Sequence, residues 1–195
     1  MIYDCNEIKL KLQTNLTAKR YEHTIGVAYT AYSMALRYGE NPEKALVAGL
    51  LHDCAKCIED SEALELCKLY NVKLTKVEYD NPLLIHAKLG AAIAEAVYGI
   101  EDRYILDAIR YHTTGRANMT LLERIIFISD YIEPCRKEIA GLATVRDTVY
   151  KDMNMAIVLI CQGTLRHLKN TGQPIDEATL STYNYYNEVI GNGNE

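Results

Sequence analysis

Apolar residues recur along most of the chain at three-to-four spacing, the period of a helix that buries one face. Ile8, Leu12 and Leu16 mark a short amphipathic stretch over 7–16. Thr17 reads as an N-cap, and Tyr21, Ile25, Ala28, Tyr32 and Ala35 carry the next helix to Gly39. Asn41-Pro42-Glu43 pairs a cap residue with proline at the first helical position and opens a helix that runs into His52-Asp53. Ser61 starts another. Asn81-Pro82 repeats the cap-proline pattern ahead of His86, Leu89, Ile93 and Val97, with Gly99 closing the segment. Helices are predicted over 101–112, over 121–132 behind the cap Thr120, over 142–150 and over 154–168. Residues 170–174 read as a turn, Asp176 opens a last helix to about 190, and 191–195 should fray. Strand-period alternation, internal repeats and linkers are absent. The pattern predicts one all-α domain over 1–195, with a core at about 18–190 and an N-terminal helix at about 4–16 packed on it.

Composition changes this picture little. The 195 residues are 49% hydrophobic and 24% charged, ordinary for a globular chain that can bury a full-sized core. The net charge of -5 argues against a nucleic-acid surface but leaves room for a small anion in a local basic pocket. No apolar run approaches the ~20 residues of a membrane span. The start Met1-Ile2-Tyr3-Asp4-Cys5 lacks a basic region followed by an apolar core. Six cysteines in such a chain read as reduced thiols, so a cytoplasmic location is expected. Cys54-x-x-Cys57 lacks both a βαβ context and a second Cys pair, and is expected to be incidental.

The chemistry gathers at Leu50-Leu51-His52-Asp53-Cys54-Ala55-Lys56. An adjacent imidazole and carboxylate at the end of an apolar run is costly to bury unless a cation or strong hydrogen bonds meet it. It is also a ready pair of ligands for a divalent metal. Four of the five histidines (His23, His52, His86, His112) and Asp130, set inside Ile125-Ile126-Phe127-Ile128-Ser129, lie on helices able to face one centre. His167, between Arg166 and Lys169, reads as a surface side chain. A shared metal explains the set once, where separate structural roles must be invoked residue by residue. His and carboxylate donors suit iron, manganese or zinc better than magnesium. Lys56 is placed to neutralise negative charge at the centre. Arg136 suits bidentate contact with an oxyanion. Thr113, Thr114 and the Gly115 backbone offer donors, and Arg20 weighs equally as a contact or a solvated residue. Glu133 is placed to orient Arg136 or a ligand histidine.

The order His23, His52-Asp53, Asp130 resembles the HD superfamily of metal-dependent phosphohydrolases. The words His112-Thr113-Thr114-Gly115-Arg116 and Ser129-Asp130-Tyr131-Ile132-Glu133-Pro134-x-Arg136 narrow the resemblance to the bacterial HD-type symmetrical bis(5'-nucleosyl)-tetraphosphatases, over about 20–186. It implies an HD-domain helical bundle with iron between its central helices, in one or two ions, manganese and zinc being the alternatives. It implies hydrolysis of diadenosine tetraphosphate to two ADP by metal-activated water at a β-phosphorus. His23, His52, Asp53 and Asp130 match the family's metal ligands, and Asp53 and Lys56 are the expected catalytic residues. His86 and His112 match second-metal ligands or phosphate contacts. With a polyphosphate substrate so implied, Lys56 would neutralise phosphoryl charge, and Arg20, Thr113, Thr114, Gly115, Ser129 and Arg136 are the phosphate candidates. Asn170, Thr171, Gly172, Pro174 and Tyr183 fall in a segment implied to touch the nucleotide. Tyr183 stands where the family segment usually carries Arg. A second copy of the chain is a candidate partner. The rival readings are another HD phosphohydrolase, acting on a deoxynucleotide monophosphate or a cyclic nucleotide, and a non-catalytic nucleotide- or metal-sensing module.

Overall fold

The computed structural model describes residues 3–192. Eleven α-helices and one 3-10 turn, with no strand, make up the regular structure of these residues. The predicted all-α class is therefore the observed one. The expected fraying at 193–195 lies outside the described range, and Gly191 and Asn192 complete the last helix.

α1 (Cys5–Asn15) falls within the helix predicted at about 4–16 and begins two residues before its apolar stretch, because the Asp4 carboxylate accepts from the backbone of Asn6 and Glu7. α2 (Ala18–Tyr38) is capped by Thr17, and α3 (Pro42–Leu51) by Asn41, whose side chain accepts from Glu43 and Lys44. α4 spans Asp60–Leu69. α5 (Lys76–Asp80) was not expected. One turn long, it shows no period, yet Thr75 and Glu78 form a reciprocal capping box at its start. Asn81-Pro82 opens only a 3-10 turn, Pro82–Leu84, and α6 begins behind it as Ile85–Tyr98. Unlike Asn41, Asn81 makes no side-chain cap bond. α7 (Arg103–Arg110), α8 (Leu121–Ile132), α9 (Leu142–Val149), α10 (Met153–Thr171) and α11 (Glu177–Asn192) follow. α10 outruns its prediction. Asn170 and Thr171 are helical, and the left-handed Gly172 (φ +66°) ends the helix.

α2 lies along α3 and α8, and α7 packs on α3, α6 and α8. Their facing positions, among them Ala28, Ala31, Leu50, Ile105, Ile109, Ile125 and Ile128, are fully buried. Small residues bring α2 and α3 together: a Cβ on Gly49 would lie 2.6 Å from the Ala28 Cα. α10 and α11 pair at one side, with α9 against α8 and α10. No helix among the described residues is long and apolar enough to cross a membrane.

Candidate metal centre

Five elements deliver the clustered side chains. His23 projects from α2, and His52 caps the C-terminus of α3 with Asp53 in the turn beyond. His86 sits in the first turn of α6, His112 just past α7, and Asp130 on α8. His52, Asp53, His86 and His112 are buried.

Each imidazole is oriented through Nδ1. His52 donates to Gly49 O, His86 to Leu83 O and His112 to Ile109 O, each at 2.7 Å. The accepting carbonyl lies three residues earlier in all three cases. His23 Nδ1 faces Glu133 Oε1 at 3.1 Å. With the proton on Nδ1, every Nε2 presents a lone pair. These lone pairs converge on two carboxylates. His23 Nε2 lies 3.0 Å from Asp130 Oδ1 and 3.8 Å from Asp53 Oδ2. His52 Nε2 lies 3.4 Å from Asp53 Oδ2 and 3.9 Å from Asp130 Oδ1. The other Asp53 oxygen, Oδ1, is 3.3 Å from His86 Nε2 and 3.7 Å from His112 Nε2. These two imidazole nitrogens are 3.2 Å apart.

Acceptors gathered this closely repel one another unless a cation sits among them. The Nε2 atoms of His23 and His52 are buried without a hydrogen-bond partner, the His23–Asp130 contact lacking hydrogen-bond alignment. Two donors each about 2.1 Å from one ion and at right angles lie about 3.0 Å apart, so the observed spacings suit a shared transition metal. His23, His52 and Asp130 form one such group, and His52, Asp53 and His112 another. The donor set fits the group.

The electrostatics make the same demand. Burial alone would raise the Asp53 carboxyl, but its interactions with the surrounding imidazoles, His52 foremost, hold it well below the usual carboxylate range. Burial likewise opposes ionisation of Asp130, and the close contact with His23 overrides it, holding the carboxyl below its usual range. His86 is driven down to about 3 by desolvation, so it stays neutral. His23 is pulled down by burial but raised overall by Asp130, Glu133 and Asp53.

The remaining expected residues divide. Arg20 Nη1 reaches Asp53 Oδ2 at 2.8 Å. Lys56 Nζ lies 3.2 and 3.4 Å from the ring nitrogens of His86, and desolvation lowers its pKa. Thr113 Oγ1 is 3.1 Å from Nε2 of both His86 and His112. Arg136 lies over the Tyr131 ring with its buried Nε unpartnered. Other candidates are turned elsewhere. Ser129, one residue from Asp130 and so about 100° around the helix, is buried with Oγ on Met34 Sδ. The Gly115 N–H donates to Tyr111 O, and a Cβ there would strike Thr182. The Thr114 hydroxyl donates to Gly115 O. Asn170, Thr171, Gly172 and Pro174 are exposed, and Thr171 Oγ1 bonds back to His167 O. Tyr183 accepts from Gln162 on α10. Sequence reasoning passed over Gly26, where a Cβ would lie 2.6 Å from Glu133 Oε2, and Arg146, which donates to Ile132 O and Glu133 O. A glycine and an arginine on separate helices carry no local sign of either role.

Cys54 is buried, its Sγ donating to Gly90 O, and burial pushes the thiol up to about 12. Cys57 is exposed. A Cys54→Ala/Cys57→Ala variant is therefore expected to keep wild-type metal content and activity under reducing conditions. Elemental analysis checks this, and loss of metal would make the pair ligands. A cavity of about 720 Å³ lies apart from the cluster, lined by Tyr3, Tyr32 and Lys44 among others. The chemistry is not there, because none of the converging donors lines it.

The HD domain profile matches residues 20–135. The chain is 43% identical over 173 residues to the symmetrical bis(5'-nucleosyl)-tetraphosphatase of Halalkalibacterium halodurans, covering 89% of this chain and 91% of that one. It is 38% identical over 174 residues to the protein of that name from Bacillus subtilis, covering 89% and 92%. A solved structure of a predicted HD superfamily hydrolase involved in NAD metabolism from Clostridium acetobutylicum superposes with a TM-score of 0.92 at 38% identity, over 96% of this chain and 99% of that chain. The acceptor cluster falls on the His, His-Asp and Asp positions that the sequence words bracket, and with these similarities the chain belongs to the HD-domain hydrolases, in the family of the symmetrical bis(5'-nucleosyl)-tetraphosphatases.

Proposed function

We propose that the chain, acting as one HD domain in the cytoplasm, hydrolyses diadenosine tetraphosphate to two ADP at a dinuclear iron centre. One observation carries the two-ion reading: Asp53 turns one oxygen to His23 and His52 and the other to His86 and His112. A carboxylate so divided suits a bridge between two ions. His23, His52 and Asp130 would complete one half, His86 and His112 the other. Bound there, divalent ions supply water ionised near neutral pH and Lewis acids for phosphate oxygens.

The chain's own groups arrange the substrate. Lys56, beside His86, and Arg20, on Asp53, bring positive charge to the edge of the centre. Arg136 adds a guanidinium with an uncommitted Nε at the end of the Asp130 helix. Charges fixed in advance on both sides of a phosphate chain stabilise negative charge as it builds. With the Nε2 lone pairs of His86 and His112 taken up by an ion, the Thr113 hydroxyl beside them would keep its one proton for a phosphate oxygen. The departing ADP is a good leaving group and needs no strong acid beside it. Ser129 Oγ and the Gly115 N–H are committed to other partners, Met34 Sδ and Tyr111 O.

The experiment is to incubate metal-replete protein with a nucleotide panel in oxygen-18 water and weigh the products. Diadenosine tetraphosphate should give two ADP, with label on the terminal phosphate of one of them per turnover. ATP plus AMP as primary products would sink the placement of the phosphates, and turnover of monophosphates or cyclic nucleotides alone would favour another HD activity.

A further inference from the structure

Three of the clustered imidazoles donate Nδ1–H to a neutral carbonyl, while His23 faces a carboxylate. That carboxylate, Glu133, is 1% exposed, and acidic groups are seldom buried without partners. Three elements converge to hold it. Oε1 faces His23 Nδ1 at 3.1 Å, and Oε2 accepts from the Cys135 N–H at 2.6 Å. Arg146 on α9 donates from Nε to Ile132 O at 3.0 Å and from Nη2 to Glu133 O at 2.7 Å, fixing the backbone at the end of α8. On α2, one turn beyond His23, Gly26 leaves the space: a Cβ there would lie 2.6 Å from Glu133 Oε2. Orientation of His23 alone would need only a carbonyl, as the other histidines show.

We propose that Glu133 is a positioning residue that makes His23 the strongest imidazole donor of the centre, so that the His23/His52/Asp130 half holds its ion more tightly than the His86/His112 half. The inference rests on the metal reading above. An anionic acceptor on Nδ1–H raises the basicity of Nε2, as in carboxylate–histidine–metal triads. The neutral carbonyls behind His86 and His112 give no such increment. The asymmetry is thus written into what stands behind the ligands, with the same imidazole chemistry in front.

The test is zinc binding to the full chain in competition with a chromophoric chelator, resolved into a tight and a weak step, without substrate. Glu133→Gln keeps the shape and one acceptor oxygen but removes the charge. It should weaken the tight step by roughly 10–100-fold and leave the weak step as in wild type. Gly26→Ala crowds the carboxylate while improving helix propensity by ~1 kcal/mol. It should weaken the same step without lowering the melting temperature of the metal-free protein. Because Gly26→Ala leaves every ligand and charge in place, it decides the matter alone if Glu133→Gln does not fold. An unchanged tight step in Glu133→Gln, equal weakening of both steps, or wild-type affinity in Gly26→Ala overturns the proposal. Wild-type protein that takes up no zinc overturns the metal centre with it, whereas normal wild-type uptake with an unchanged Glu133→Gln overturns the proposal alone.

Discussion

An Asp53→Ala variant is expected to lose metal from both halves of the centre and at least about 10³-fold in kcat/KM, more than the 10²–10³ usual for removing one electrostatic stabiliser. The reason is geometric. Asp53 is the side chain whose two oxygens face both histidine pairs, so no neighbour can replace it. Asp53→Asn separates charge from shape. It removes the negative charge that the imidazoles and Arg20 hold ionised. A carboxyl whose folded pKa is depressed contributes stability above its unfolded pKa, so metal-free Asp53→Asn should melt lower than the metal-free wild type near neutral pH, while binding metal as poorly as Asp53→Ala. Elemental analysis and thermal melts on the three proteins check both statements. Full metal content in Asp53→Ala would remove the bridging role.

The second large effect is one of packing. Gly49→Ala places a methyl 2.6 Å from the Ala28 Cα and 3.1 Å from its backbone nitrogen, where no flexible side chain can yield. α3 must shift away from α2. Overpacking of this kind costs about 1–3 kcal/mol or more, against the ~1 kcal/mol that Ala gains over Gly within a helix. The shift also displaces the Gly49 carbonyl that orients His52. A melting temperature lower by several degrees is expected, at about 2–4 °C per kcal/mol for a chain of this size, together with weaker metal binding. Wild-type values for both would show that the helices can separate without cost.

The fold was legible wherever helix-period stripes were bounded by side-chain caps. Thr17, Asn41 and Thr120 each accept from the backbone they were expected to cap. Asn81-Pro82 misled because the pattern names residue types, while capping depends on a side-chain bond that Asn81 does not make. α5 escaped because five residues are too few for a period to appear. At the candidate site, His23, His52, Asp53, His86, His112 and Asp130 stood out as polar residues in apolar surroundings, and the fold gathers them. Arg20 could not be weighed in advance, since its partner Asp53 lies 33 residues away. Ser129 shares a word with Asp130, but a helix turns adjacent side chains to different faces, and its hydroxyl meets Met34. The Gly115 backbone was a fair donor by composition. Only the fold reveals that its N–H already serves Tyr111.

The loop that carries Thr113 is fastened from the far end of the chain. Thr182 on α11 donates to Thr114 O at 3.0 Å, Gly115 lies against the Thr182 side chain, and the Tyr186 hydroxyl accepts from the Met119 N–H at 3.0 Å. Local opening of proteins proceeds in cooperative units, and these contacts place α11 and the loop beside His86 and His112 in one unit. Detachment of the C-terminal helix and loosening of that loop become a single thermodynamic event, so the stability of a helix bearing none of the clustered donors sets how often one wall of the centre lets go.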